Sequence, residues 1–142
     1  MAYEGITEYA SKMILDHLVG KTAFPMPVNN YVALYNGDPL GAGTELVAPP
    51  ATDYAREQTI ATDWTAAAFV SPTSTAVNAT DIDFGIAGAA WGTVDHFAVF
   101  DDATAGNMLY CGPLEVSRSV QLNDPVKFPA GELKVRISQT VS

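Results

Sequence analysis

The sequence contains one cysteine and few positive charges. A single thiol cannot form an internal disulfide, and Cys111 lies in the apolar run MLYCGPL, which predicts a buried, unreactive side chain. Seven Lys and Arg stand against 16 Asp and Glu, which makes the formal net charge −9. A chain this acidic repels phosphate backbones and anionic lipid, so we expect no nucleic acid among its partners.

Long apolar runs are also missing. No stretch reaches the ~18 apolar residues that a membrane span requires, so no membrane partner is predicted. The start of the chain, MAYEGITEYASKMILDHL, carries acids early and has no basic segment ahead of an apolar one, unlike a secretory signal. We therefore expect the protein to be made and used without export.

Motifs of catalysis and cofactor binding are missing as well. The chain has no G-x-S-x-G, no phosphate-binding loop, no G-x-G-x-x-G and no H-E-x-x-H. Its two histidines, His17 and His96, carry no local metal-binding spacing. Asp81 and Asp83 suit a solvated strand face better than acid–base work on a glycan. We predict no catalytic residue, no bound metal and no cofactor, and hence a protein that is not an enzyme.

One stretch raises the question of a site, WGTVDHFAVFDDATAGNMLYCGPL at residues 91–114. In a regular strand, Val94, His96, Ala98 and Phe100 share one face while Asp95 lies on the other, so Asp95 and His96 should not converge. The turn chemistry of DDATAGN predicts a hairpin between strands at 91–100 and 107–116. His96 is then a partly buried strand residue with a hydrogen-bond partner.

What the chain does contain predicts a mainly β protein. A content of 48% hydrophobic and 16% charged residues argues against disorder, and 142 residues suit one domain. A helical period covers 7–19, prolines make 20–30 an extended connector, and seven or eight short strands follow between Gly and Pro turns. We predict one antiparallel β-sandwich, jelly-roll or immunoglobulin-like, at about 31–138 behind one N-terminal α-helix; a small barrel is the alternative.

The strand pattern is clearest at the two ends of this region. YVALY at 31–35 is a continuous strand pattern, and YAREQTI from Tyr54 is a second one. Two more short strands are expected around Ser71 and Pro72. In GELKVRIS, Leu133, Val135 and Ile137 alternate with polar residues, which is typical of a half-buried antiparallel strand.

The predicted helix has two apolar sides, which suggests contact with a neighbour. Leu15 and Val19 form a second stripe on the side opposite a broad core-facing set, Ile6, Tyr9, Ala10, Met13, Ile14, His17 and Leu18. Two partly exposed apolar side chains explain the stripe equally well. The long loop at 36–52 is a second candidate contact element. The candidate subunit contacts are Leu15, Val19, Tyr35, Asp38, Leu40 and Leu46.

Several motifs occur in order along the chain: MILDHLVGKTAFPMP, YVALYNGDP, YAREQ, WGTVDHFAVFD, GNMLYCGPL and VKFPAGELKVRIS. In combination they resemble a family of small tailed-phage virion proteins labelled tail fibre protein, or Gp80-like, over residues 8–138. The sequence departs from that family at APPATDYAR, where a glycine-rich lead is usual, and this difference affects only a loop. The resemblance implies a component of a phage particle without enzymatic activity.

We therefore expect a non-enzymatic structural protein of a tailed bacteriophage virion, assembled in the host cytoplasm. It would serve as a capsid decoration, collar, or tail- or fibre-associated subunit that binds other virion proteins and forms a homo-oligomer. The alternative is a receptor- or glycan-binding module on a fibre. In that case Tyr31, Tyr35, Trp64 and Trp91 could stack on sugar rings.

Overall fold

The computed structural model describes residues 4–139, and this part of the chain is mainly β with one α-helix near its N-terminus, α1 at Glu8–Leu18. A short 3₁₀ helix lies at Ala61–Asp63. The strands are β1 Gly5–Ile6, β2 Asn30–Asn36, β3 Thr44–Glu45, β4 Glu57–Thr59, β5 Ala68–Val70, β6 Thr73–Val77, β7 Ile82–Ile86, β8 Gly92–Phe100, β9 Met108–Val120, β10 Pro125–Phe128 and β11 Lys134–Ser138.

The strands form one large antiparallel sheet and two small ones. The large sheet has the order β1-β9-β8-β2-β3, and β4 also pairs with β2. The small sheets are β10-β7 and β11-β6-β5. The main core joins the layers, since Leu34 and Phe97 of the large sheet pack with Ile82 and Phe128 of the two-stranded sheet and with Val135 of β11. The predicted antiparallel β-sandwich with an N-terminal helix is confirmed, with a second layer that is divided into two pieces.

Side chains and backbone define both ends of the helix. The Thr7 hydroxyl accepts a hydrogen bond from the Ala10 N–H at 3.2 Å and donates one to the Met108 carbonyl at 2.6 Å, so the N-cap also fastens the helix to β9. Gly20, at φ +77°, follows the last turn, and its N–H donates to the His17 carbonyl. The helix predicted at 7–19 is confirmed.

The predicted core-facing side of the helix is wrong in its last turn. Ala10 is buried and Met13 and Ile14 are half-buried, but His17 and Leu18 are exposed, and Tyr9 in the first turn is 38% exposed. The helix packs on β9, and the burial of its apolar residues ends after Ile14, since Leu15, Leu18 and Val19 are exposed. The apolar period predicts which side of the helix faces the core, but not how many turns of that side are covered by other residues.

The predicted hairpin is confirmed as β8 and β9, with one error in the faces. A register shift interrupts the pairing between Val94 and His96. As a result, Val94 lies in the main core with Phe97 and Val99, and not on the face of His96, Ala98 and Phe100 as strict alternation predicts. At this point the pairing advances by two residues along β8 and by five along β9, and such an irregularity changes the side of the residues that follow. The sequence carries no local sign of it.

Other strands match the prediction with adjusted bounds. The two strands predicted around Ser71 and Pro72 are β5 and β6, and the same segment, residues 66–87, contains a third one, β7, that was not predicted. The predicted long loop at 36–52 includes the short strand β3 and a tight turn in which Gly43 lies against the backbone of Gly37, which has φ +89°. A side chain at Gly43 has no space there. The loop is therefore ordered against β2 rather than extended into solvent.

Candidate functional site

Asp95 and His96 do contact each other, contrary to the prediction. The His96 Nδ1 lies 2.8 Å from the Asp95 Oδ1, because the bulge at this point turns the two neighbours toward one another. The same Asp95 oxygen accepts the Gly37 N–H at 2.7 Å. His96 is buried and has the hydrogen-bond partner that was predicted. The pair holds the start of the 36–52 loop against β8.

The other carboxylates that the sequence singled out serve turns and ion pairs. Asp101 accepts the backbone N–H and the side-chain amide of Asn107, at 2.7 and 3.1 Å, and so closes the β8–β9 turn. Asp83 accepts the Gly85 N–H at 2.8 Å within β7, and Asp81 pairs with Lys127 at 3.2 Å. Across residues 4–139, no group of three or more His, Cys, Asp or Glu is placed to hold a metal ion.

Arg56 covers the outer face of the large sheet, which is the face opposite the main core and carries Phe100 and Cys111. Its guanidinium carbon lies 3.6 Å from the centroid of the Phe100 ring, and two of its nitrogens donate to the Glu45 carboxylate at 2.8 and 2.9 Å. The third nitrogen donates to the carbonyls of Asp102 and Ala105 in the β8–β9 turn. The pKa of Arg56 is raised, chiefly by the hydrogen bond to Glu45. Arg56 thus ties the turn to the loop at 36–52.

Cys111 lies on this outer face, buried beside Ala33, Tyr35 and Ala98, as the sequence predicted. Burial raises its pKa from 9.0 to about 11, with the Asp38 charge adding to the effect. At neutral pH, a shift of two units lowers the thiolate fraction about a hundredfold. We expect a disulfide reagent to label Cys111 at least that much more slowly in the folded protein than in urea. Equal labelling rates would contradict the burial.

The same shift predicts a loss of stability in alkali. Between pH 9 and pH 11 the unfolded chain releases the Cys111 proton while the folded chain keeps it. Because the folded state then binds more protons, the free energy of unfolding should fall as the pH rises through this window. Burial also raises the pKa of Tyr35 to about 12, which acts in the same direction.

The predicted contact residues divide into exposed and packed ones. Leu15 and Val19 are 61% and 71% exposed, and Leu18 beside them is 72% exposed. We call these three the helix surface. Leu40 is also exposed, while Asp38 is half-buried and its carboxylate accepts the Leu40 N–H at 3.0 Å. The remaining two are packed into the fold, Tyr35 on the outer face and Leu46 against the main core.

The chain has seven Lys and Arg side chains, and most of them form ion pairs with carboxylates. Five form ion pairs with carboxylates at 2.7 to 3.2 Å: Arg56 with Glu45, Arg118 with Glu132, Lys127 with Asp81, Lys134 with Glu115 and Arg136 with Glu4. Within residues 4–139, the two cations without such a pair are Lys12 and Lys21. Both lie on or next to the helix, and the strands carry no free positive patch.

A cleft that the sequence did not predict lies between the helix, the connector and the β8–β9 turn. The Phe24 N–H donates to the His17 Nδ1 at 3.1 Å, which folds the connector back along the helix. The rings of Tyr9 and Phe24 are 6.4 Å apart between centroids and 85° apart in plane. The cleft has a volume of about 460 Å³. Its polar and aromatic lining is Tyr9, Phe24, Asn29, Tyr31, Asp101 and Asp102, and we call it the aromatic cleft.

The four aromatic residues proposed for sugar stacking do not meet in one place. Trp91 and Tyr35 are buried, and the Trp91 indole N–H donates to the Thr52 carbonyl at 2.8 Å. Trp64 is half-buried, donates to the Thr59 hydroxyl at 2.9 Å and lines a separate apolar groove of about 240 Å³ beside the helix. Of the four, Tyr31 lines the aromatic cleft.

These features define a small antiparallel β-sandwich protein whose accessible features are an apolar helix surface and an aromatic cleft. No helix within residues 4–139 is long and apolar enough to cross a membrane. The chain belongs to the family of the podophage GP4 fiber I protein gp80, whose family model matches residues 5–136. No curated protein matches the chain. The resemblance found in the motifs is confirmed, and the family is one of phage fibre structural proteins, which implies a place in the virion and contacts with other virion proteins.

Proposed function

We propose that this protein is a non-enzymatic structural subunit that assembles through the helix surface, with the whole chain acting as one domain. The observation that carries the proposal is the exposure of Leu15, Leu18 and Val19, each above 60%, on the last turn of a helix that the sandwich covers only in part. Adjacent large apolar side chains in water are typical of a protein–protein contact. The subunit would form a closed symmetric oligomer as a capsid decoration, a collar or a part of the tail or fibre.

The loop at 36–52 supports a second contact element. Arg56, Glu45 and the Asp95–Gly37 hydrogen bond hold the loop in place, and Leu40 and Val47 stay exposed on it. A held loop with apolar side chains loses little conformational entropy on binding, which favours its use in an interface. Tyr35 and Leu46, packed below, would support the loop rather than contact a neighbour.

Charge supports protein partners over nucleic acid or membrane. The net charge is −9, and five of the seven cations are held in ion pairs. Binding to a phosphate backbone needs several free Lys and Arg on one surface. Lys12 and Lys21 are too few for that. The remaining partners are virion proteins of the capsid, neck or tail and further copies of this chain.

Replacing Leu15 and Val19 together with glutamate should prevent self-assembly while the monomer stays folded. Two charges in a desolvated contact carry a cost of several kcal/mol, whereas the same side chains cost the monomer little because they already face water. Sedimentation velocity of the purified full chain gives the oligomeric state, and circular dichroism gives the fold. A variant that assembles like the native chain would exclude the helix surface as an interface.

A matched control places the same charges on other exposed apolar positions. The Val116→Glu/Leu122→Glu variant changes residues that are also exposed and lie in β9 and the turn after it. It should assemble normally. Peptide mass spectrometry of purified virions then tests the role itself. A copy number close to that of the capsid protein supports a decoration layer, a few to a few dozen copies support a collar or fibre position, and absence from the particle overturns the proposal.

A further inference from the structure

We propose that the aromatic cleft binds a cationic side chain, lysine or arginine, presented by a partner protein. That the partner is a virion protein rests on the function proposed above; the chemistry of the cleft does not. The inference deepens that function because it names what a neighbouring subunit must present. It rests on three observations: the rings, the charge of the lining, and the state of the chain's own cations.

The first observation is the arrangement of the rings. Tyr9 and Phe24 stand nearly perpendicular at 6.4 Å, and Tyr31 lines the same cleft. A cation is attracted to the face of an aromatic ring within about 6 Å of its centroid, and several rings around one space form a cage that suits an ammonium or guanidinium group. Tyr9 and Phe24 are both partly open to solvent, so a ligand can reach them.

The second observation is the charge beside the rings. Asp101 and Asp102 line the cleft, and its lining contains no Lys or Arg. Asp101 is engaged by Asn107, whereas Asp102 is exposed and, within the described residues, its carboxylate has neither a hydrogen bond nor an ion pair. A carboxylate next to an aromatic cage supplies the opposite charge that a bound cation needs. The cleft is therefore complementary to a positive group.

The third observation is that the chain already uses this chemistry next to the cleft. Arg56 lies over the Phe100 ring at 3.6 Å and donates to the carbonyl of Asp102, the residue whose side chain lines the cleft. Arg56 is fully occupied by these contacts and by Glu45, and four other cations are held in ion pairs. The two remaining cations of the chain, Lys12 and Lys21, do not line the cleft, which leaves it open to a cation from a partner.

A saccharide fits the cleft less well than a cation. A sugar ring stacks on one flat aromatic platform, whereas Tyr9 and Phe24 make a corner. An acidic sugar or a phosphate would meet Asp101, Asp102 and a net charge of −9 without a compensating cation in the lining. The same charges attract lysine and arginine.

The test uses the full chain, labelled with ¹⁵N, and a matched pair of short probes. Acetyl-glycyl-lysyl-glycine amide carries one cation, and the same peptide with acetylated lysine carries none. We expect the lysine peptide to shift amide resonances at 24–31 and 101–109, with weaker binding at high salt. The acetylated peptide should leave these resonances in place.

Variants assign the binding to the cleft. Tyr9→Leu should weaken binding of the lysine peptide about fivefold, and Asp102→Asn about threefold. Asp53→Asn and Phe69→Leu are the controls, because they remove an exposed charge and an exposed ring outside the cleft. Both controls should bind like the native chain. Asp53, at φ +69°, tolerates asparagine.

Three results would overturn the proposal: no shift with the lysine peptide, equal shifts with the acetylated peptide, or native affinity in both cleft variants. Shifts with neutral sugars such as N-acetylglucosamine, and none with the lysine peptide, would replace it with a glycan site. None of these results affects the helix surface, whose test is assembly. Conversely, a chain missing from the virion would leave the cation site in place and remove only its assignment to a virion partner.

Discussion

Replacing Asn78 with leucine is expected to lower the free energy of unfolding by about 4 kcal/mol, because the change removes four hydrogen bonds to the backbone, two of them buried. Asn78 is 1% exposed, and its side chain links the end of β6 to the segment between β10 and β11. The Oδ1 accepts the Leu133 N–H at 2.9 Å. The two N–H groups of Nδ2 are shared among three carbonyls, those of Thr80 at 2.9 Å, Pro129 at 3.0 Å and Phe128 at 3.3 Å.

Leucine has a similar volume but replaces none of these bonds, so the buried Leu133 N–H and Phe128 carbonyl lose their partner without gaining water. Urea unfolding followed by circular dichroism measures the change. Asn36→Leu is the control, since Asn36 is exposed at the end of β2, and its effect should stay within about 0.5 kcal/mol. A loss below 1 kcal/mol for Asn78→Leu would mean that this amide does not organise the small sheets.

Trp91→Ala should have a comparable effect, a loss of about 4 kcal/mol, through a large cavity and a broken hydrogen bond. Trp91 is 6% exposed, and its ring packs edge-on against Tyr54 with centroids 5.6 Å apart. Tyr54 in turn stacks on Phe84, accepts the Leu34 N–H and donates to Glu45. The indole therefore supports the ring that connects the loop after β3 to the main core.

The near-ultraviolet circular dichroism signal should fall together with stability, since Trp91 sits in a fixed aromatic environment. Trp91→Phe keeps a ring in the site and should lose less than half as much. Phe69→Ala removes an exposed ring from β5 and should cost less than about 1 kcal/mol. If Trp91→Ala unfolded at the same urea concentration as the native chain, the aromatic cluster would not carry the stability assigned to it.

Several features followed from local sequence patterns. The hairpin at β8 and β9 was predicted because alternating apolar residues flank a turn of Asp, Gly and Asn, and both signals act within a few residues of chain. The helix at 7–19 followed from its 3.6-residue period. The buried Cys111 followed from its apolar surroundings in sequence. The family resemblance came from ordered motifs over most of the chain, and the family match confirms it.

The bulge between Val94 and His96 had no such signal. Its position depends on how β8 pairs with both β2 and β9, and a change of one residue in that register reverses every face beyond it. The contact between Asp95 and His96 follows from the bulge, so alternation alone predicted the opposite. Two errors in the interpretation of this stretch thus have one cause.

By itself, the sequence determined the class of protein: acidic, mainly β, with one capped helix, the motifs of a phage fibre family and no local catalytic motif. These properties depend on composition and on patterns a few residues long, so they can be recognised without knowing how the chain folds. The tertiary structure decided which side chains remain accessible. It left Leu18 exposed, buried Trp91, and brought Tyr9 and Phe24 to Asp102, which is roughly 80 to 90 residues away along the chain. Such encounters depend on strand pairing and on the return of the connector along the helix, which no local pattern records.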